Sequence, residues 1–159
     1  MKVKILLFAV LVAALGLGGY KLYAHCQIPC GIYDDPARFK TLNEHCTTIE
    51  KSMKEIVKLT ESDDPNWNQV VRWTKNKEHH ADDLTHIVTY YFMAQRVKPT
   101  DQRNGEAWEK YVKKVTLLHE MVVLSMKAKQ TTDLEHVRNL REAIAQFHAL
   151  YFGQKAGKK

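Results

Sequence analysis

Between Asp35 and Gly153 the apolar side chains recur at alternating spacings of three and four in four successive stretches, which leaves few folds open to the chain. The first stretch opens at Asp35-Pro36, read as an N-cap followed by a proline at the first helical position. It carries Phe39, Leu42, Cys46, Ile49, Met53 and Ile56 on one face. Ser62-Asp63-Asp64-Pro65 breaks it. A second face follows through Trp67, Val70, Val71, Thr74, Ala81, Leu84, Ile87, Val88 and Tyr91, interrupted by the polar run from Asn76 to His80. Lys98-Pro99-Thr100-Asp101 and Asn104-Gly105 are loop chemistry. Trp108, Tyr111, Val112, Val115, Leu118, Val122 and Met126 mark a third helix. After Thr131-Thr132-Asp133, Val137, Leu140, Ile144, Phe147 and Tyr151 mark a fourth, ended by Gly153. No window alternates as paired strands do. The expectation is all-α: an antiparallel four-helix bundle over residues 35–153, followed by a flexible basic tail at 154–159.

Residues 1–24 read differently. Lys2 and Lys4 precede an uncharged run of 15 residues from Ile5 to Gly19, and a short polar stretch leads to Ala24. The run is shorter than the roughly 20 residues of a spanning helix, which favours a secretory leader. Ala24 suits the position before a cleavage site, whereas Leu22 is larger than the residue usual two places earlier. The expectation is cleavage after Ala24 and export to a periplasmic or extracellular location. An uncleaved membrane anchor is the competing reading.

Charge says little about partners. The chain has 24 Lys and Arg against 18 Asp and Glu, but Lys2, Lys4 and Lys21 belong to the leader, leaving 21 against 18. No basic stripe interleaves with aromatics, so a nucleic-acid partner is not expected. A small positive surplus does help to gather a small anion.

The remaining chemistry is concentrated in residues 25–34. Cys46 lies on a core-facing position and reads as a buried, inert thiol. That leaves Cys26 and Cys30 as a pair, either a small-loop disulfide of an exported protein or two metal thiolates. If the mature chain begins at His25, a free α-amine stands beside the Cys26 backbone nitrogen, two thiolates and an imidazole. An internal amide lacks that lone pair. Pro29 and Gly31 bend the chain so that the second sulfur returns towards the first. Two nitrogens and two sulfurs form a planar set with the imidazole near the axis, a donor pattern for nickel(II) or copper(II) rather than tetrahedral zinc.

His25-Cys26-Gln27-Ile28-Pro29-Cys30-Gly31-Ile32-Tyr33 resembles the nickel hook of the nickel-containing superoxide dismutases, His-Cys-x-x-Pro-Cys-Gly-x-Tyr at the mature N-terminus. The resemblance implies one nickel ion per subunit in a homohexamer of four-helix bundles. It implies His25 (amine and imidazole), Cys26 (backbone nitrogen and thiolate) and Cys30 (thiolate) as metal ligands, with Tyr33 and Tyr91 around the open face. The implied reaction converts two superoxide anions and two protons to dioxygen and hydrogen peroxide, with nickel alternating between Ni(II) and Ni(III). Gln27 stands where a family member has an acidic residue, and Asp34-Asp35 reads as an insertion. The glutamate and arginine that orient the axial imidazole there fall near Leu42 and Asn76, leaving Glu44, Lys75 and Lys77 as candidate substitutes.

Three other readings compete. The hook is able to hold nickel or copper in an exported bundle without turnover. A Cys26–Cys30 disulfide is able to staple a metal-free bundle. A di-iron bundle needs Glu-x-x-His on facing helices, and the chain offers only Asp83-x-x-His86 and Asp133-x-x-His136. His45, His79, His80, His119 and His148 read as surface or hydrogen-bonded groups. The adjacency of His79 and His80 turns them to different faces.

Overall fold

The computed structural model describes residues 34–101 and 103–153. Four helical rods make up this body: α1 (Asp35–Thr60), α2 (Trp67–His86), α3 (Gly105–Gln130) and α4 (Leu134–Phe152), with α2 running unbroken into a π-helical segment (Ile87–Arg96). No strand occurs among the described residues.

Helix lengths and short connections dictate the topology. The 26 residues of α1 extend about 39 Å at 1.5 Å per residue. Residues 61–66 span at most about 21 Å even when fully extended, so α2 has to run back alongside α1. Residues 131–133 impose the same reversal on α3 and α4. Each helix packs against its sequence neighbours, and α1 also packs against α4, which closes the ring. The result is the expected antiparallel bundle. Among the described residues, no helix is long and apolar enough to cross a membrane.

The α1 seam packs as its spacing predicts. Phe39, Leu42, Cys46, Ile49 and Met53 are buried, while Ile56 is half-buried near the end of the helix. The N-cap lies one residue earlier than expected, at Asp34, and Pro36 sits in the first turn. Burial raises the Cys46 thiol to about 12, so this cysteine is inert. On α4, Val137, Leu140, Ala143, Ile144 and Phe147 are buried, and Gly153 ends the helix in the left-handed conformation, φ 72°.

Two helices depart from the expected faces. On α3 the buried row is Leu117, Leu118, Met121, Leu124, Ser125 and Ala128, whereas Val112 and Met126 are 40% and 49% exposed. Two successive steps of four, from Leu118 to Met126, carry a row about 80° around the helix and off the core. On α2, Trp67 and Val71 lie in the first turns, beyond the packed core, and are 64% and 53% exposed.

The polar middle of α2 also has a structural cause. Lys77 is buried, and its ammonium donates to the carbonyls of Lys129 and Thr131 at 2.8 and 2.7 Å. Those carbonyls lie at the C-terminus of α3, where the helix has no partner for them. Burial lowers the Lys77 pKa, with Glu78 opposing.

Candidate metal centre

His25, Cys26, Cys30 and Tyr33 lie outside the described residues, as do the leader and the tail. The structure does describe the platform at which this segment joins the bundle. Asp34 adopts an extended conformation, and its carbonyl accepts from the Arg38 amide at 3.2 Å. Asp35 then places a negative charge in the first turn of α1, where the helix dipole favours it.

The Asp35 carboxylate is clasped from two other elements. One oxygen accepts from the Tyr91 hydroxyl and from Arg96 Nε at 2.9 Å. The other accepts from the Tyr151 hydroxyl at 2.8 Å. Arg96 Nη2 adds an ion pair at 2.8 Å and reaches the Tyr91 oxygen at 3.2 Å. The π-helical segment makes this possible. Its i→i+5 turn sets Arg96 one turn beyond Tyr91 and lets adjacent Tyr91 and Phe92 both face inward. Phe92 packs in an aromatic group with Phe39 and Phe147, their centroids 4.9 and 5.1 Å away.

The electrostatics follow from this packing. Burial pushes the Asp35 carboxyl up, but hydrogen bonds from Tyr91, Tyr151 and Arg96 and the guanidinium charge outweigh it and lower the pKa. Burial and then the Asp35 bond raise the pKa of both phenols, so Tyr91 and Tyr151 stay protonated at neutral pH. Guanidinium groups of Arg38 and Arg96 stand 5.3 and 5.2 Å from the Tyr91 ring centre. Lys114 stands 5.4 Å from the centre of the Tyr151 ring. Beside them, Arg96, Lys98, Lys110, Tyr111 and Lys114 line an open cleft of about 400 Å³. This end of the bundle is positively charged and phenol-bearing.

The residues considered as supports for the His25 imidazole have other commitments. Leu42 is fully buried in the core, and the Asn76 amide donates to Ser52 Oγ at 3.0 Å. Glu44 is an exposed partner of Lys40 at 3.7 Å, and Lys75 is exposed. Lys77 caps α3 at the opposite end of the bundle from Asp35, which removes it as a substitute.

The di-iron pattern does not assemble among the described residues. His86 stacks on Tyr90 with centroids 4.4 Å apart, and the Asp133 carboxylate accepts from the Glu135 amide at 2.9 Å as the cap of α4. His148 packs edge-on against Phe39 at 4.7 Å, and His119 is exposed. The sequence reading missed one contact. His45 and His80 meet across α1 and α2, and the available signal was that each precedes a buried seam residue, Cys46 or Ala81.

No solved structure matches the chain. It is similar to the superoxide dismutase [Ni] of Streptomyces seoulensis, 27% identical over 135 residues that cover 85% of this chain and 91% of that protein. The sequence profile of the nickel-containing superoxide dismutases matches residues 20–155, a span that includes His25, Cys26, Cys30 and Tyr33 as well as the four helices. The chain belongs to the nickel-containing superoxide dismutase family.

Proposed function

We propose that the chain carries out its family's dismutation of superoxide at a nickel ion held by His25, Cys26 and Cys30, in a mature protein that begins at His25. The carrying observation is that the family match extends over the segment that brings two thiols and an imidazole within six residues. Two thiolates, a terminal amine, a backbone nitrogen and an imidazole fit nickel(II), and the deprotonated sulfurs and amide nitrogen favour its oxidised form. Bound nickel supplies the one-electron redox chemistry, alternating between its divalent and trivalent states.

The chain's own residues do the rest. Tyr33 keeps its proton at neutral pH, with a reference pKa near 10, and offers a hydrogen bond to an incoming anion or water. Tyr91 is proposed to support this side of the site. Its hydroxyl is bonded to Asp35, which follows Tyr33 by two positions in the sequence. Arg96 and Lys110 are paired with Asp35 and Glu106, which leaves Lys98 and Lys114 of the same cleft, with Arg38 nearby, to favour the approach of superoxide. A closed pocket around the sulfurs would limit their oxidation by the peroxide product.

Cleavage after Ala24 releases the amine that the site needs, and the same leader directs export to the periplasm or the extracellular space. A chain that retained the leader would be membrane-anchored. Homohexamer formation is supported by the exposed apolar side chains Trp67, Val71, Tyr90 and Met93, which a single bundle leaves uncovered. The test is substitution at the thiolates. Cys26→Ser and Cys30→Ser should each lose stoichiometric nickel and at least 99% of the dismutase activity seen by pulse radiolysis. Near-normal activity in either variant would sink the assignment. Intact nickel without superoxide turnover in the parent protein would instead favour a binding module.

A further inference from the structure

The α1–α2 seam holds a cluster of ligating side chains that the dismutase reaction does not use. His45 and His80 bring their Nδ1 atoms to 2.8 Å across the seam. Asp83 lies one turn beyond His80, and one donor atom from each of the three residues falls within 4.8 Å of the others. His80 and Asp83 are half-buried, and helix packing fixes the separation of the two imidazoles. Two imidazole nitrogens this close need a single proton between them, one ring donating and the other accepting. Burial, and then the neighbouring His80, lower the pKa of His45, which keeps it neutral and available as a ligand.

The same spacing is the bite of a metal ion. Nitrogens about 2.05 Å from one ion and about 90° apart lie about 2.9 Å from each other, and a tetrahedral angle opens that to about 3.3 Å. Two imidazoles and one carboxylate, without thiolate, suit zinc, nickel or copper and leave positions for water. His79 Nε2 stands 3.3 Å from Asp83 Oδ2, an outer partner that orients the carboxylate.

We propose that His45, His80 and Asp83 form a second metal site, which takes an imidazole-preferring divalent transition-metal ion of the zinc class and clamps α1 to α2. Binding shifts the proton of the donating ring from Nδ1 to its outer Nε2, so that both rings stay neutral and both Nδ1 lone pairs face the ion, and the Asp83 carboxylate offsets one of the two added charges. The site is distinct from the hook in donor type, since it has no sulfur.

Cobalt(II) is the probe, added to the processed, tag-free, nickel-loaded enzyme. The expected result is one cobalt per chain beyond the nickel, with the weak visible bands of nitrogen and oxygen donors and no thiolate charge-transfer band, displaced by one equivalent of zinc(II). A thiolate band would report the hook instead, so the two sites are read separately. His45→Gln and His80→Gln should weaken uptake at least a hundredfold and Asp83→Asn at least tenfold, with nickel content and dismutase activity unchanged. Zinc(II) should also raise the melting temperature of the parent protein but not that of His80→Gln. Absence of cobalt or zinc beyond the nickel in the parent protein overturns the proposal, and so does equal uptake by a folded His80→Gln variant. Should the variants fail to fold, the parent's stoichiometry and band type decide the question alone.

Discussion

Asp35 accepts hydrogen bonds from two phenols and a guanidinium while sitting in the first turn of α1, so one carboxylate ties the start of the bundle to the ends of two other elements. Asp35→Ala leaves a partly buried cation and two phenols without their acceptor, and urea denaturation should show a loss of about 2–3 kcal/mol. Asp35→Asn should lose less, because the amide oxygen still accepts. The folded pKa of Asp35 is lowered from 3.8, so its stabilisation is present above the unfolded value and is lost as pH falls through the folded one. Acid titration of the parent protein should show this contribution disappearing below about pH 4, and Asp35→Asn should lack it. Cys46 makes a simpler prediction. Its raised pKa and full burial should keep it unlabelled by iodoacetamide in the folded protein, with reaction only on unfolding. That burial was legible from the helical spacing. The clasp was not, because Tyr91, Arg96 and Tyr151 lie 56, 61 and 116 positions from Asp35 and only the tertiary fold joins them.

At the scale of elements, periodicity exposed the four rods because each has to bury one stripe, and Pro, Gly and Asp clusters marked the turns between them. Two features escaped it. The π-helical segment has no composition of its own, yet it determines that Tyr91 and Phe92 both point inward. The polar stretch of α2 looked like a weak seam, but it carries the Lys77 cap of α3 and the His80 contact with α1. Lys77→Met removes the donor for two carbonyls, and thermal or urea unfolding should show a loss of about 1–3 kcal/mol. His45 makes the α1–α2 seam sensitive to acid. Its folded pKa is lowered from 6.5, so protonation favours the unfolded chain and stability should fall as pH drops below about 6.5. His80 and His79 add repulsion to a charged His45, whereas Glu44 and Asp83 offset it. Hydrogen exchange at pH 7.5 and 5.5 should show faster opening of this seam in acid than in a His45→Gln variant.

For the whole molecule, the bundle and the chemistry come from separate parts of the chain. Residues 35–153 form the four helices, while the proposed nickel donors belong to nine residues ahead of them. Local periodicity specifies the former. The proposed donors stand out because amine, thiolate and imidazole groups at this spacing suit nickel(II) or copper(II), and the proposed site needs a cut that creates a new N-terminus. Native mass spectrometry of protein from cells that process and metallate it tests this requirement most directly. Chains that begin at His25, each carrying one nickel and assembled as a hexamer, are the expected result. Chains that retain residues 1–24, or begin elsewhere, and carry no nickel would contradict it.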